Sequence, residues 1–346
     1  MRDVAVVAFA QTRHSGEDQG LAETEMVLPV ITEIKERTGL SRFGFTCSGS
    51  CDYLQGAPFA FVSALDTLGA WPPIAESHVE MDGAWALYEA WVKLQIGEID
   101  TALVYGFGKS SQTDLRAIMN QQLDPYTLAP LGVDQVSMAA MQARVYMDKS
   151  GVKEDDLRAV AARSRASGRD NPFALHLPDP DGDDYDVAPL HRYDVAPVTD
   201  GAAAIVLAAG DKARELCERP AWITGIDHRT EPHSLGVRDL TGSAGARLAG
   251  EKAGAAGVEV AELHAQFSHE ELILREALGL ADGVQINPSG GALSANPVMA
   301  AGLIRIGEAA ARIHDGTASR TLGHAASGPC LQQNLVCVMS GESNHG

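Results

Sequence analysis

The sequence is poor in positive charge, in paired cysteines and in long apolar runs. Lysine and arginine number 27 against 46 aspartates and glutamates, a formal net charge of −19 over 346 residues. That balance excludes a broad face for nucleic acid or for an anionic membrane, and an anionic ligand would need a local basic patch. No apolar stretch reaches the ~18 residues of a spanning helix, and Met1-Arg2-Asp3 runs straight into strand-like VAVVAFA without a signal-peptide layout. A cytoplasmic location is the expectation. The five cysteines (Cys47, Cys51, Cys217, Cys330 and Cys337) form no CxxC pair. Cys47 and Cys51 have no second cluster to complete a zinc site, so reduced thiols and no metal are expected. The acidic run Asp179 to Asp186 lacks the later glutamate of an EF-hand and reads as a solvated loop.

What is present centres on residues 74 to 106. A short extended run, Pro73 to Val79, leads to Asp82-Gly83. Beyond it Ala84, Leu87, Tyr88 and Trp91 recur at helical spacing, and Thr101 to Tyr105 is a second apolar run. Asp82 is suited to N-cap this helix, which should end near Gly97. In such a βαβ unit the turn between strand and helix faces a crevice, where backbone N–H groups and the helix dipole can hold developing negative charge. Chemistry is therefore expected near Glu80 to Gly83.

The layout returns later in the chain. Residues 284 to 287 read as a strand and Gly290-Gly291 as a tight loop. Pro297 to Ile313 reads as a helix N-capped by Asn296, and Arg320 to His324 as the next strand. This implies a duplicated βαβαβ half with two helix N-termini meeting near a central crevice. Val4 to Ala10, Leu21 to Arg37, Arg42 to Cys47 and a helix opened by CSGSCDYLQG and running to about Gly69 make residues 1–108 an α/β layer. Residues 109–197 break the alternation with LDPYTLAPLG, helices at 133 to 150 and 154 to 167, and the acidic run, and so read as an insertion. The first half's last strand is then expected in 198–212, and the second half in 213–346.

Four strings, VAELHAQFSHEELILREALGL, INPSGGALSANP, VTDGAAAIVLAA and SGPCLQQNLVCVM, resemble the sterol-carrier or lipid-transfer branch of the thiolase superfamily. The resemblance covers essentially the whole chain. It implies an α/β fold of thiolase-like duplicated halves in a layered αβαβα arrangement, with residues 109–197 as the inserted loop domain. It also implies a CoA thioester as substrate, no tightly bound cofactor, and a homodimer formed through a sheet edge of the first half.

The departures from that family bear on chemistry. In place of the nucleophilic cysteine of the C-x-x-G pattern stand Glu80, Met81, Asp82 and Gly83. The glycine-histidine-proline motif reads Ala295-Asn296-Pro297, and the late cysteine falls near Gly323-His324, with Cys330 close by in a longer loop. The histidine of the H-x-x-F-S string is kept as His264. A carboxylate is a far poorer acyl carrier than a thiolate, so ordinary thiolysis is disfavoured. Lipid-transfer members of steroid-degrading bacteria, paired with a small OB-fold protein, act as retro-aldolases on β-hydroxyacyl-CoA side chains. That reaction on a bulky, steroid-type acyl-CoA is the leading expectation here.

Glu80 is the candidate base if burial beside Met81 and Trp85 raises its pKa, and otherwise a paired or capping carboxylate. His264 is a base or an oxyanion donor, and Asp82 a helix cap close to the chemistry. Asn296 can cap a helix and also donate to a thioester oxygen, with Gly290 and Gly291 shaping a substrate loop. His324 and Cys330 are assigned to the last loop as further site residues. Related aldolases use a tyrosine near the place of Pro297, for which Tyr53, Tyr88 and Tyr126 are the substitutes on offer. Two other readings are a non-catalytic acyl-CoA-binding or assembly subunit, and thioester transfer through Cys330.

Overall fold

The return strand DGAAAIVLAA is buried along all ten of its residues, which requires helices on both faces of the sheet that holds it. The computed structural model describes residues 2–56, 58–69 and 75–343; the expected strand start at Pro73 lies outside the described residues. The first half contributes β1 (Val4–Gln11), β2 (Phe45–Gly49), β3 (Glu76–Val79) and β4 (Thr101–Lys109). A small hairpin, β5 (Tyr185–Val187) with β6 (Leu190–His191), precedes the return strand β7 (Asp200–Ala209). The second half contributes β8 (Ala221–Thr230), β9 (Val260–Glu262), β10 (Gln285–Ile286), β11 (Arg320–Ser327) and β12 (Gln333–Ser340).

Ten of these strands form one sheet in the order β10-β9-β11-β12-β8-β1-β7-β4-β2-β3. Within each half the arrangement is the same. β2 runs parallel to β3 and β4, while β4 and β1 both run antiparallel to β7. Likewise β9 runs parallel to β10 and β11, while β11 and β8 both run antiparallel to β12. The duplication expected from the repeated pattern is thus present as strand order and direction. The halves join where β1 pairs with β8, Ala5 opposite Trp222 and Val6 opposite Ala221.

The first half carries α1 (Glu23–Thr38), α2 (Asp52–Gln55), α3 (Val62–Leu65) and α4 (Gly83–Gln95). Between β4 and β7 run α5 (Leu115–Gln121), α6 (Gln135–Ser150) and α7 (Glu154–Asp170). Then follow α8 (Gly210–Leu216), α9 (Ala244–Ala253), α10 (Ser268–Ala277) and α11 (Ala301–His314). Helices α4 and α11 occupy the middle. Leu87 and Leu94 of one and Leu303 and Ile306 of the other share a core with Val104 and Ile205 of the first half and Leu335 and Met339 of the second. On the outer side Val27, Ile31 and Ile34 of α1 cover Tyr105 and Val206. Ala249 of α9 and Leu274 of α10 cover Leu322 and Val336 in the same way. The result is the αβαβα layering of the thiolase fold. Among the described residues no helix is long and apolar enough to cross a membrane.

Two local expectations need correction. The helix opened by CSGSCDYLQG and expected to run to about Gly69 is broken into α2, α3 and a short 3-10 turn; Gly56, at a φ of 71°, ends α2, and Gly69, at 62°, ends the 3-10 turn. The stretch after Ile226, which shows little pattern in sequence, contains α9. Its buried face is Gly245, Ala246, Ala249, Gly250 and Ala253, small residues that give almost no hydrophobic contrast. A methyl at Gly250 would meet Leu278 at 2.6 Å, so the closeness of α9 to its neighbour selects the small side chain.

Candidate active site

Both central helices begin at the same place, and one side chain starts them both. Asp82 is the N-cap of α4, accepting from Ala84 N–H at 2.9 Å. The same carboxylate accepts from Gly302 and Leu303 N–H of α11 at 2.8 and 2.9 Å. In return Gly83 donates its N–H to the carbonyl of Met299 at 2.8 Å. Asn296 was expected to cap the second helix, and this is corrected: α11 starts at Ala301, after Met299 has turned through a φ of 73°. With the orphan amides of α11 held by Asp82, the side chain of Asn296 is released from capping.

That release has a use. Asn296 lines a cleft of about 590 Å³ with Glu80, Met81, Asp82 and His264. Ala326 N–H donates to Nδ1 of His264 at 3.3 Å, so the ring proton must sit on Nε2, which faces Oδ1 of Asn296 at 3.0 Å. Burial is the main cause that lowers the His264 pKa to about 4, so the ring is neutral at physiological pH. The histidine therefore acts as a donor that fixes the Asn296 amide, and its nitrogens are both engaged. The Nδ2 group of Asn296 has no protein partner among the described residues and borders the cleft.

Glu80 lies in the turn between β3 and α4 and lines the same cleft. Its Oε1 accepts from Asp52 N–H at 2.6 Å, and burial, the largest cause, raises its carboxyl pKa above the ordinary value of 4.5. Beneath it the buried Cys51 accepts from Gln122 at 2.6 Å. Burial, again the largest cause, pushes the Cys51 thiol up to about 11. Tyr53, in α2, also lines the cleft, whereas Tyr88 packs against Trp91 and His228, and Tyr126 is 87% exposed.

Other expected residues lie elsewhere. His324 is inside β11 rather than in the last loop, fully buried, with Nε2 on Asn334 Oδ1 at 3.1 Å. Cys330 does sit in that loop, but it is buried outside the cleft lining with Sγ on the carbonyl of Met138 at 3.4 Å. Burial pushes its thiol up to about 12. Gly290 and Gly291, at φ of 98° and 63°, pack their loop onto α7, where a methyl on Gly290 would meet Gly168 at 2.8 Å. Both are absent from the cleft lining.

Several features of the cleft were not singled out from the sequence. His233 lines it and accepts from Asp124 N–H at 2.9 Å, tying the loop after β8 to the LDPYTLAPLG segment. Met119, Met138 and Met299 join Met81 in its wall, an adaptable apolar surface contributed by separate elements. No cysteine, lysine or arginine lines it among the described residues. Nor do the described residues hold a His, Cys, Asp and Glu cluster fit for a metal.

No family model matches the chain. It is 25% identical to the acetyl-CoA acetyltransferase of Methanocaldococcus jannaschii over 89% of each protein. It is 24% identical to the 17-hydroxy-3-oxo-4-pregnene-20-carboxyl-CoA lyase of Mycobacterium tuberculosis, covering 74% of this chain and 65% of the relative. Among solved structures it superposes on the human mitochondrial 3-ketoacyl-CoA thiolase with a TM-score of 0.78, 14% identity and 98% and 99% coverage. On an Ltp2-ChsH2(DUF35) aldolase it superposes with a TM-score of 0.77, 21% identity and 98% coverage of both chains. Duplicated halves around two central helices, with a cleft at their shared N-termini, define a thiolase-like α/β protein. In sequence and in fold the chain is similar to members of the thiolase superfamily.

Proposed function

We propose that this protein cleaves a carbon–carbon bond of a bulky, steroid-type β-hydroxyacyl-CoA by a retro-aldol reaction. The observation that carries the reading is the composition of the cleft: a carboxylate, a neutral histidine and an amide donor converge there, and among the described residues no thiol lines it. Acyl transfer needs a thiolate carrier, whereas a retro-aldol step needs a base and a donor for an enolate.

Glu80 takes the β-hydroxyl proton. The β-carbon becomes a carbonyl as the Cα–Cβ bond breaks, and the electron pair passes into the thioester enolate. Nδ2 of Asn296 donates to the enolate oxygen, its amide held in place by His264 Nε2–H. Return of the proton from Glu80 to the α-carbon releases the shortened acyl-CoA. The relative named as a steroid-type carboxyl-CoA lyase supports the substrate class. The four methionines fit a rigid, bulky acyl group.

The same reading includes assembly. Because β3 is the outer strand of the sheet, its free edge suits a homodimer. With no lysine or arginine in the cleft lining among the described residues, the CoA phosphates are left to be held elsewhere, which supports a heteromer with a small OB-fold partner. The neighbouring structure named as an Ltp2-ChsH2(DUF35) aldolase supports that partnership. The test is to incubate the purified chain, with and without such a partner, with a β-hydroxyacyl-CoA steroid. A ketone or aldehyde and a shorter acyl-CoA should accumulate; no such product under either condition removes the reading.

A further inference from the structure

The His264–Asn296 hydrogen bond joins two segments that share very little backbone. β9 and β10 pair only at Val260 with Gln285 and at Ala261 with Ile286, and the last main-chain bond between them runs from Asn287 N–H to the carbonyl of Ala261 at 2.9 Å. Past that point, among the described residues, every hydrogen bond between the strand end that carries His264 and the connection that carries Asn296 uses a side chain. Asn287 Oδ1 accepts from Leu263 N–H at 2.6 Å. Glu262 holds Ser289 twice, Oε1 accepting from its N–H at 2.9 Å and Oε2 from its hydroxyl at 2.6 Å. Arg305 Nη1 then donates to Glu262 Oε2 at 2.9 Å and to Ser289 Oγ at 2.6 Å. Glu262, Asn287, Ser289 and Arg305 are all buried.

The places of these residues in the chain give the cluster its meaning. Ser289 stands near the start of the 287–300 connection and Arg305 lies in α11 just past its end, so one carboxylate closes the connection at both ends. That carboxylate is two residues before His264. Inside the closed connection Gly290 N–H donates to the carbonyl of Asn287 at 2.9 Å and Ser294 N–H to that of Gly291 at 3.2 Å, successive turns that leave little slack before Asn296. Asn296 N–H also donates to Thr199 Oγ1 at 3.2 Å, a tie to the approach of β7 and not to β9. Stability is a poor reason for the ion pair, since taking two charges out of water offsets most of their attraction. Burial, the largest cause, raises the Glu262 carboxyl pKa against the pull of Arg305. Nor is Arg305 available to a ligand, because it is absent from the cleft lining.

We infer that Glu262, with Arg305 as its counter-charge, is a positioning residue: it fixes β9 against the 287–300 connection and so sets the His264–Asn296 contact that aims the Asn296 amide. This rests on Asn296 being the enolate donor of the proposed reaction. A donor displaced by about 1 Å costs up to about 10²-fold in rate, so a clamp outside the cleft can govern turnover without touching substrate.

The test uses two variants of the full chain. Glu262→Gln with Arg305→Met removes both charges together and strands neither, and Ser289→Ala removes only the bridging hydroxyl and so carries little risk to folding. The first readout is the His264 Nε2–H signal in protein labelled with ¹⁵N-histidine, identified by its loss in His264→Ala. It should shift or broaden in both variants. The second is cleavage of a β-hydroxyacyl-CoA steroid. The charge-free pair should lower kcat at least about tenfold with ester binding within about twofold, and should change kcat less than about twofold when added to Asn296→Ala. A His264 signal unmoved in the folded variants overturns the inference whether or not any ester is cleaved. A moved signal with unchanged kcat, or a full additive loss on top of Asn296→Ala, overturns it as well. A moved signal in a protein that cleaves no ester overturns the retro-aldol reading and leaves the clamp standing.

Discussion

From β3 to α4 the chain uses three residues, 80 to 82; from β10 to α11 it uses fourteen, 287 to 300. These are the same crossover in two copies of one frame, and they do different work. In the short connection there is room only for Glu80, Met81 and a cap, and the cap, Asp82, serves both helices. The long connection loops out over α7 through Gly290 and Gly291 and comes back as Ala295-Asn296-Pro297. It carries Asn296 to the cleft free of capping duty. A duplicated scaffold thus supplies two equivalent helix starts, and the length of each connection decides which groups reach the substrate.

Five changes would break or sharpen that contrast. The largest effect is expected from Glu80→Gln, which removes the base from the short connection and should lower kcat about 10³-fold while leaving ester binding nearly intact. The sign of its pH dependence follows from its role. The base works ionised, so activity should rise with pH through a limb above the ordinary 4.5 of a glutamate, and a rate flat in that range would remove Glu80 from the mechanism. Asn296→Ala, in the long connection, should reduce kcat about 10²-fold by removing the enolate donor. His264→Ala should cost less alone and add little to Asn296→Ala, since the two act as one unit. Full additivity in that cycle would show that the histidine touches substrate by itself.

Asp82→Ala should act on stability, with a loss of about 2–3 kcal/mol in denaturant unfolding for two helix caps removed at once. A loss as small as one exposed cap would mean that α11 starts without it. The smallest effect is expected at Cys330, where Cys330→Ser should change turnover less than about twofold. Acyl-CoA should leave no mass adduct on that cysteine, whose thiol is held up near 12. An adduct there would restore the acyl-transfer reading.

Much of the frame was legible in the sequence because it rests on long apolar runs and strong punctuation. The β3-α4-β4 unit, the cap at Asp82 and the echo at β10-α11-β11 follow from periodicity and from a few capping residues. What escaped has a physical reason in each case. α9 hides in alanine and glycine, where burial makes no pattern. The start of α11 was misplaced because Asn-Pro is a good local helix signal, and a carboxylate 220 residues away overrides it. At the site the pairing of His264 with Asn296 was half visible as two adjacent motifs, but the tautomer depends on Ala326 N–H, a contact only the fold creates. The clamp at Glu262 left no trace, since its partners lie on elements that meet only in three dimensions.

The reciprocal contact of Gly83 with Met299 and of Asp82 with Gly302 has a consequence for the order of events during synthesis. Residues near 82 leave the ribosome long before residue 302 exists, so α4 must wait with its cap half used and its inner face uncovered. The pocket is therefore among the last parts of the molecule to form, and a ribosome stalled before residue 303 would hold a nascent chain with the first half's strands made and the cleft still unassembled.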